Sequence, residues 1–384
     1  MRELNFIKTG ELAWVDRPDP VLVEPTDVLV RPIIASRCDG DSLPIHRPVS
    51  RPMQAGLRLG LLDPSIGAIA GEVPFQGPFG IGHEAIAEVT AVGPAVTSLA
   101  VGDLVIVPWA ISCGQCRECR LGLTAKCSVA VTSSPGGMLA AYGFGPASGP
   151  WGGLVADSVR VPYADAMLVR VPDGIDPLRL AAASDNLTDA WRAVVPALRQ
   201  RPDGTVLVIG GGARSIGLYA AGIAVRSGAA TVDYVDDDPE RLRIAEELGA
   251  RVISVQRKRW TSVLGSLPTR YDVAVEASSA EQGLRDALRA LRAGGICTGT
   301  GYYVGASTKL PVMDMYATSA TLNVGVSHIR PALPELLAFV AETGFPAEKV
   351  TTVLADWADA PEAYAARTTK VVLHRPRLTA SHDA

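Results

Sequence analysis

The sequence predicts an α/β protein in two parts: a β-rich unit over about the first 170 residues, then a doubly wound parallel sheet. Two patterns carry this expectation. Early in the chain, short apolar or alternating segments are bounded by turn residues, as in an antiparallel barrel or sandwich. From about residue 173, strand-like runs alternate with helical ones, the order that specifies a parallel sheet covered on both faces. The length, 384 residues, agrees with two domains.

In the first part the strand candidates are 21–23, 27–32, 85–93 and 102–108. In the second, 205–209 is a continuous apolar run, as expected of a central parallel strand. It is followed by strand candidates at 231–236, 251–255, 272–276, 295–299 and 321–325. Helices are expected over 186–198 and 215–227. Another should start at Asp238 as cap with Pro239 in the first position and end at Gly249. A further helix over 280–292 has Ser279 and Gln282 as a capping box. Leu284, Ala287, Leu288 and Leu291 lie on one of its faces, and Gly294 follows its end. The last fifty-odd residues, with 369–373 among them, read as a return to the first unit.

Hydrophobic residues make up 48% and charged residues 20%, which excludes a disordered chain. The net charge is 36 − 40 = −4 with Lys and Arg scattered, which points away from nucleic acid as a partner. No run approaches the roughly 18 to 20 apolar residues of a membrane span. The first residues, Met1 to Phe6, lack a signal-like apolar stretch, so a cytoplasmic protein is expected.

Four of the six cysteines crowd together as Cys113-x2-Cys116-x2-Cys119-x7-Cys127, while Cys38 and Cys297 stand alone. Four thiolates this close can complete the tetrahedral shell of a structural zinc; an iron–sulfur cluster or four reduced thiols are the alternatives. Gly114 and Gly122 let the loop wrap an ion, and Arg117, Arg120 and Lys126, with one acid, Glu118, among them, partly offset the net negative charge of a zinc tetrathiolate.

After the 205–209 strand comes Gly210-Gly211-Gly212-Ala213-Arg214-Ser215-Ile216-Gly217. A glycine turn between strand and helix, with Asp236 nineteen residues after Gly217 at a strand end, is the context of a dinucleotide site. The expected contacts are Gly210, Gly212, Ser215, Ile216 and Gly217 at the pyrophosphate, with Arg214 adding a phosphate contact. Four residues separate Gly212 from Gly217, where the common fingerprint has two, so the turn is enlarged. Asp236 should accept from the ribose hydroxyls. With Asp237 and Asp238 it favours NAD over NADP by repelling a 2′-phosphate.

Taken with Gly82-His83-Glu84 and Val101-Gly102-Asp103-Leu104-Val105, the cysteine spacing resembles the zinc-dependent medium-chain alcohol dehydrogenases over essentially the whole chain. The resemblance implies a GroES-like β-barrel catalytic domain from 1–172 and 330–384, with a structural zinc lobe at about 110–130, and a Rossmann domain over 173–329. It implies a catalytic zinc held by Cys38, His83 and Asp185, with Asp41 and Glu84 behind the ligands to fix the imidazole tautomer and tune the charge. Singly, Cys38 could be packing, His83 a core histidine and Asp185 the cap of the 186–198 helix. The family's Ser or Thr two residues after the first ligand is Gly40 here, so Asp39, Ser42, His46 or water would move the proton. The proline-rich stretch 47–78 is expected to be an insertion near the substrate mouth or a subunit interface.

The function implied is zinc-dependent, NAD(H)-linked oxidation of a small alcohol or reduction of an aldehyde or ketone, in a homodimer or homotetramer. The alternatives are reduction of a conjugated C=C bond, or a noncatalytic zinc- and nucleotide-binding relative.

Overall fold

The structure, a computed structural model, describes residues 1–256 and 262–378 of the chain. The first part contributes strands β1 (Arg2–Lys8), β2 (Glu11–Asp16), β3 (Val28–Ser36), β4 (Phe79–Gly80), β5 (Glu84–Val92), β6 (Leu104–Val107), β7 (Val159–Val161) and β8 (Val169–Arg170). Between them lie short helices α1 (Ser42–His46), α2 (Ser50–Arg58), α3 (Ser65–Ala70), α4 (Arg117–Arg120) and α5 (Ala164–Met167). α6 (Asn186–Gln200) leads into β9 (Thr205–Ile209), α7 (Arg214–Arg226), β10 (Thr231–Asp236), α8 (Pro239–Glu247), β11 (Arg251–Ser254), β12 (Tyr271–Glu276), α9 (Glu281–Arg289), β13 (Leu291–Gly299), α10 (Val312–Thr318) and β14 (Thr321–Val324). The chain closes with α11 (Ile329–Thr343), β15 (Val353–Asp356), α12 (Ala360–Ala365) and β16 (Val371–His374).

The apolar runs of β9, β10, β12 and β13 form a six-stranded, wholly parallel sheet in the order β11-β10-β9-β12-β13-β14. The order reverses between β9 and β12, and ligands of doubly wound sheets bind at the carboxyl ends of strands flanking such a switch. The other large sheet runs β15-β16-β3-β5-β6-β8, with β7 also on β3, and a three-stranded sheet β2-β1-β4 lies apart. β16 pairs antiparallel with β3, so the end of the chain does return to the first unit. α11 packs on α6, with the Trp191 and Phe339 ring centroids 4.9 Å apart.

Several expectations need correction. Residues 21–23 form no strand: Val21 and Val23 are 66% and 62% exposed, so their apolar side chains gain nothing from pairing. The capping box at Ser279 and Gln282 is absent. Ser279 has φ 56°, Ala280 is the cap residue, and Gln282 donates to Asp286 instead. That helix stops at Arg289, and Gly294 (φ 72°) lies inside β13. Asp238 caps α8 as expected, its side chain accepting from the Arg241 amide at 3.0 Å.

Lys370, fully buried, ties the parts together. Its ammonium donates to Glu84, to the Arg37 carbonyl at 3.0 Å and to Asn186 Oδ1 at 2.9 Å. The pair joins the last segment to the first residues of β5 and α6. Lys370→Met should therefore strand the Glu84 carboxylate and lower stability by roughly 3–5 kcal/mol. Urea unfolding should show Lys370→Met with Glu84→Gln recovering much of the loss; a single variant as stable as wild type would remove the ion pair from the fold's foundations.

Candidate active site

Three elements deliver one donor each to the cleft between the two large sheets. Cys38 follows β3, His83 precedes β5, and Asp185 stands just before α6. Their sulfur, nitrogen and oxygen atoms lie within 4.8 Å of one another, and all three residues are buried. Asp185 makes no cap bond to α6. Its Oδ2 lies 3.1 Å from Cys38 Sγ and 3.4 Å from His83 Nε2, while Oδ1 accepts from Ser327 Oγ at 3.1 Å. Asn186 holds two of the three, donating to Asp185 Oδ2 at 2.9 Å and to Cys38 Sγ at 3.3 Å.

His83 is 2% exposed, and among the described residues neither ring nitrogen has a hydrogen-bond partner. An imidazole this dry, with carboxylates near both nitrogens but a hydrogen bond to neither, is costly unless something else binds it. A mixed S, N, O donor set with one side open is the chemistry of a zinc site that keeps a substrate position. Without a cation the charges are badly placed. Burial, then Asp185, Asp41 and Glu84, push the Cys38 thiol well up. Burial alone would lower the His83 imidazole, but Asp41, Asp185 and Glu84 outweigh it and raise it to about 9. The residues fit a divalent cation, which would displace those protons.

Asp41 does face the imidazole, Oδ1 standing 3.7 Å from Nδ1. Glu84 does not. Its oxygens are taken by Lys370, Ser36 and, at 2.9 Å, the Asn186 amide, so it supports α6 rather than the histidine. Phe144, unmarked in the sequence, stacks on His83 with centroids 4.5 Å apart.

Cys113, Cys116, Cys119 and Cys127 also converge, their sulfurs within 4.8 Å of one another and none in a disulfide. Backbone N–H groups point at them: Cys113 to Cys127 at 3.3 Å, Cys116 to Cys113 at 3.3 Å, Cys119 to Cys116 at 3.4 Å and Ala130 to Cys127 at 3.4 Å. Such donors compensate thiolate charge, so this set too fits a metal.

A cavity of about 650 Å³ opens over His83 and Asp41. The 47–78 insertion supplies its apolar wall through Met53, Ile66, Ile69, Ala70 and Phe75. The insertion is helical rather than loop, and it bridges the cleft by the Asp63 amide to the Val304 carbonyl at 3.1 Å and Ala306 to Leu61 at 3.1 Å. At Gly40, where a side chain would enter the cavity, a Cβ would stand 3.2 Å from the Tyr302 hydroxyl. His46 is engaged elsewhere, Nε2 lying 3.1 Å from the Ala365 carbonyl.

The cavity's other end meets the glycine turn at Gly212 and Arg214. A Cβ on Gly210 would fall 2.4 Å from Asp236 Oδ2, so the turn needs glycine to fit against β10. Asp236 is not presented to a ribose. It is fully buried, taking Arg241 Nε at 2.8 Å and Nη2 at 2.7 Å, Tyr234 Oη at 2.7 Å and the Asp237 amide at 2.7 Å. Arg241 also reaches Asp238 at 3.2 Å. Arg214 donates to the Thr368 carbonyl at 3.1 Å. Ser215 and Ile216 direct their amides at Asp39.

Two family models match the chain, the alcohol dehydrogenase GroES-like domain over residues 24–173 and the zinc-binding dehydrogenase over residues 215–342. A medium chain reductase/dehydrogenase of an Acremonium species is 30% identical over 262 residues, 67% of this chain and 77% of that one. The chain belongs to the medium-chain dehydrogenase/reductase family. Within it, this dehydrogenase is an oxidoreductase of the zinc-dependent alcohol dehydrogenase type, a GroES-like unit joined to a Rossmann sheet. It is 29% identical over 369 residues to a probable zinc-binding alcohol dehydrogenase of Mycobacterium tuberculosis, covering 95% of this chain and 85% of its relative. The alcohol dehydrogenase from Thermus sp. ATN1 has the same fold, with TM-score 0.78 and 26% identity over 97% of this chain and 99% of that one. Among the described residues no helix is long and apolar enough to cross a membrane.

Proposed function

We propose that this dehydrogenase interconverts a small apolar alcohol and its aldehyde or ketone, using NAD(H), a catalytic zinc at Cys38, His83 and Asp185, and a structural zinc at Cys113, Cys116, Cys119 and Cys127. The observation that carries this is the convergence of the three buried donors under a cavity that reaches the glycine turn. Zinc there supplies a Lewis acid for a substrate oxygen, and the dinucleotide supplies or accepts hydride.

The chain's own residues do the rest. Asn186 fixes Cys38 and Asp185, Asp41 faces His83 Nδ1, and Phe144 fixes the imidazole plane. The insertion wall excludes water and favours an apolar substituent. Tyr302 stands where the family's hydroxyl would be delivered. Its ring is open to the cleft, the residue being 57% exposed, while its hydroxyl end lies over Gly40. Burial of that end, then Cys38, Asp185, Asp189 and Asp41, hold the phenol well above its ordinary value. Tyr302 therefore stays protonated and stands as a hydrogen-bond donor to a substrate oxygen, in place of the side chain that Gly40 lacks.

Purified protein should hold about two zinc ions per chain. Cys116→Ser should lose one and lower the thermal midpoint, because that ion ties down a loop. His83→Ala should lose the other and all activity with little change in the midpoint. Equal unfolding in both would contradict the division of labour.

The activity is tested by following NADH with a panel of alcohols, aldehydes and enones and identifying the products. Tyr302→Phe should lower kcat about 100-fold or more on aldehydes, in the range of a lost catalytic proton donor. Unchanged kcat, or saturated products from enones alone, would favour C=C reduction.

NAD(H) over NADP(H) is supported by charge: three carboxylates, Asp236, Asp237 and Asp238, gather at the end of β10, where a 2′-phosphate would add further negative charge, and Arg241 reaches all three. Asp236→Asn keeps the shape and frees part of Arg241 for a 2′-phosphate. The ratio of dissociation constants, NADP(H) to NAD(H), should fall about tenfold, as for loss of one charged partner; an unchanged ratio would place the choice elsewhere.

A further inference from the structure

The turn that carries Cys38 also reaches into the nucleotide half of the molecule. Asp39 Oδ2 accepts from the Ser215 amide at 2.9 Å, from Ser215 Oγ at 3.0 Å and from the Ile216 amide at 3.2 Å. These are the donors of the first turn of α7, the helix that leaves the glycine turn. Asp39 is 9% exposed, and its other oxygen, Oδ1, has no hydrogen-bond partner among the described residues. A helix N-terminus after the first strand of a doubly wound sheet is where a dinucleotide seats its pyrophosphate, because free amides and the helix dipole favour an anion. In this chain an anion from the other domain already fills that seat.

We propose that Asp39 is a built-in competitor for the cofactor's pyrophosphate, and that a dinucleotide binds only by displacing it from α7. This rests on the reading that the dinucleotide binds at the glycine turn. Asp39 and a phosphate cannot share the Ser215 and Ile216 amides, since each amide has one proton and the two anions repel. Displacement moves a residue covalently joined to Cys38, one of the proposed zinc ligands, and two residues from Asp41, which faces His83. Cofactor occupancy and the position of the metal-holding turn are thereby linked. The sequence hides this contact, because Asp39 and Ser215 are 176 residues apart.

The test is equilibrium binding of NADH and NADPH to the full-length, zinc-loaded protein, read by fluorescence and calorimetry without substrate. Asp39→Asn keeps the size and removes the charge; Asp39→Ala removes the acceptor. Both should tighten the preferred dinucleotide about tenfold or more, the scale of one charge-assisted interaction. Adenosine, which has no phosphate, should bind wild type and variants alike, and inorganic pyrophosphate should compete with NADH more strongly in the variants. Hydrogen exchange over residues 38–42 should rise when NADH is added to wild type. If wild type binds NADH and both variants bind it equally or more weakly, Asp39 is a positioning cap for α7 and the inference fails while the dinucleotide reading stands. If wild type and variants all bind neither dinucleotide, the reading and the inference fall together.

Discussion

Buried negative charge is the constraint around which this dehydrogenase is organised. Asp39, Asp41, Glu84 and Asp185, with the Cys38 thiol, are all buried in one cleft beside His83. Isolated carboxylates in such a place are very costly, so each needs a compensating partner. Glu84 has Lys370, Ser36 and the Asn186 amide. Asp39 has the N-terminus of α7. Cys38, Asp185 and His83, whose ring nitrogens make no hydrogen bond among the described residues, have one another, a set that balances around a divalent cation.

Those partnerships also join segments far apart in the chain. Lys370 comes from the last segment, Asn186 from the start of α6 and Ser215 from α7, so each charged contact crosses from one part of the chain to another. The cleft between them is lined on one side by an apolar helical insertion and on the other by glycine-rich backbone. An apolar group and a phosphate-bearing group can therefore meet there without competing for the same surface. A similar balance operates at β10, where Arg241 gathers Asp236, Asp237 and Asp238.

The cysteine lobe shows the same economy on a smaller scale. Its tight spacing brings backbone N–H groups onto the sulfurs before any metal is considered. Local turns thus prepare a site that would otherwise be four repelling thiolates.

Local patterns in the sequence were enough for the parallel sheet, the Asp238 cap and the cysteine cluster, whereas the grouping of Cys38, His83 and Asp185, whose donors the structure brings together, came from the family resemblance. Each of the first three depends on short-range periodicity, capping chemistry or a recognisable spacing. The missed elements depended on context. Residues 21–23 have strand-like composition but no strand to pair with, and Ser279 has the right spacing for a cap but a left-handed backbone set by the neighbouring turn. Asp236 looked open to a ribose because Arg241, five residues on, folds back only when α8 packs beside β10. Tyr302 over Gly40 and Asp39 on α7 join residues more than 170 positions apart. Their meeting is decided by how the two sheets close on one another, because side-chain contacts across a cleft are fixed by packing and charge compensation, which no local pattern encodes.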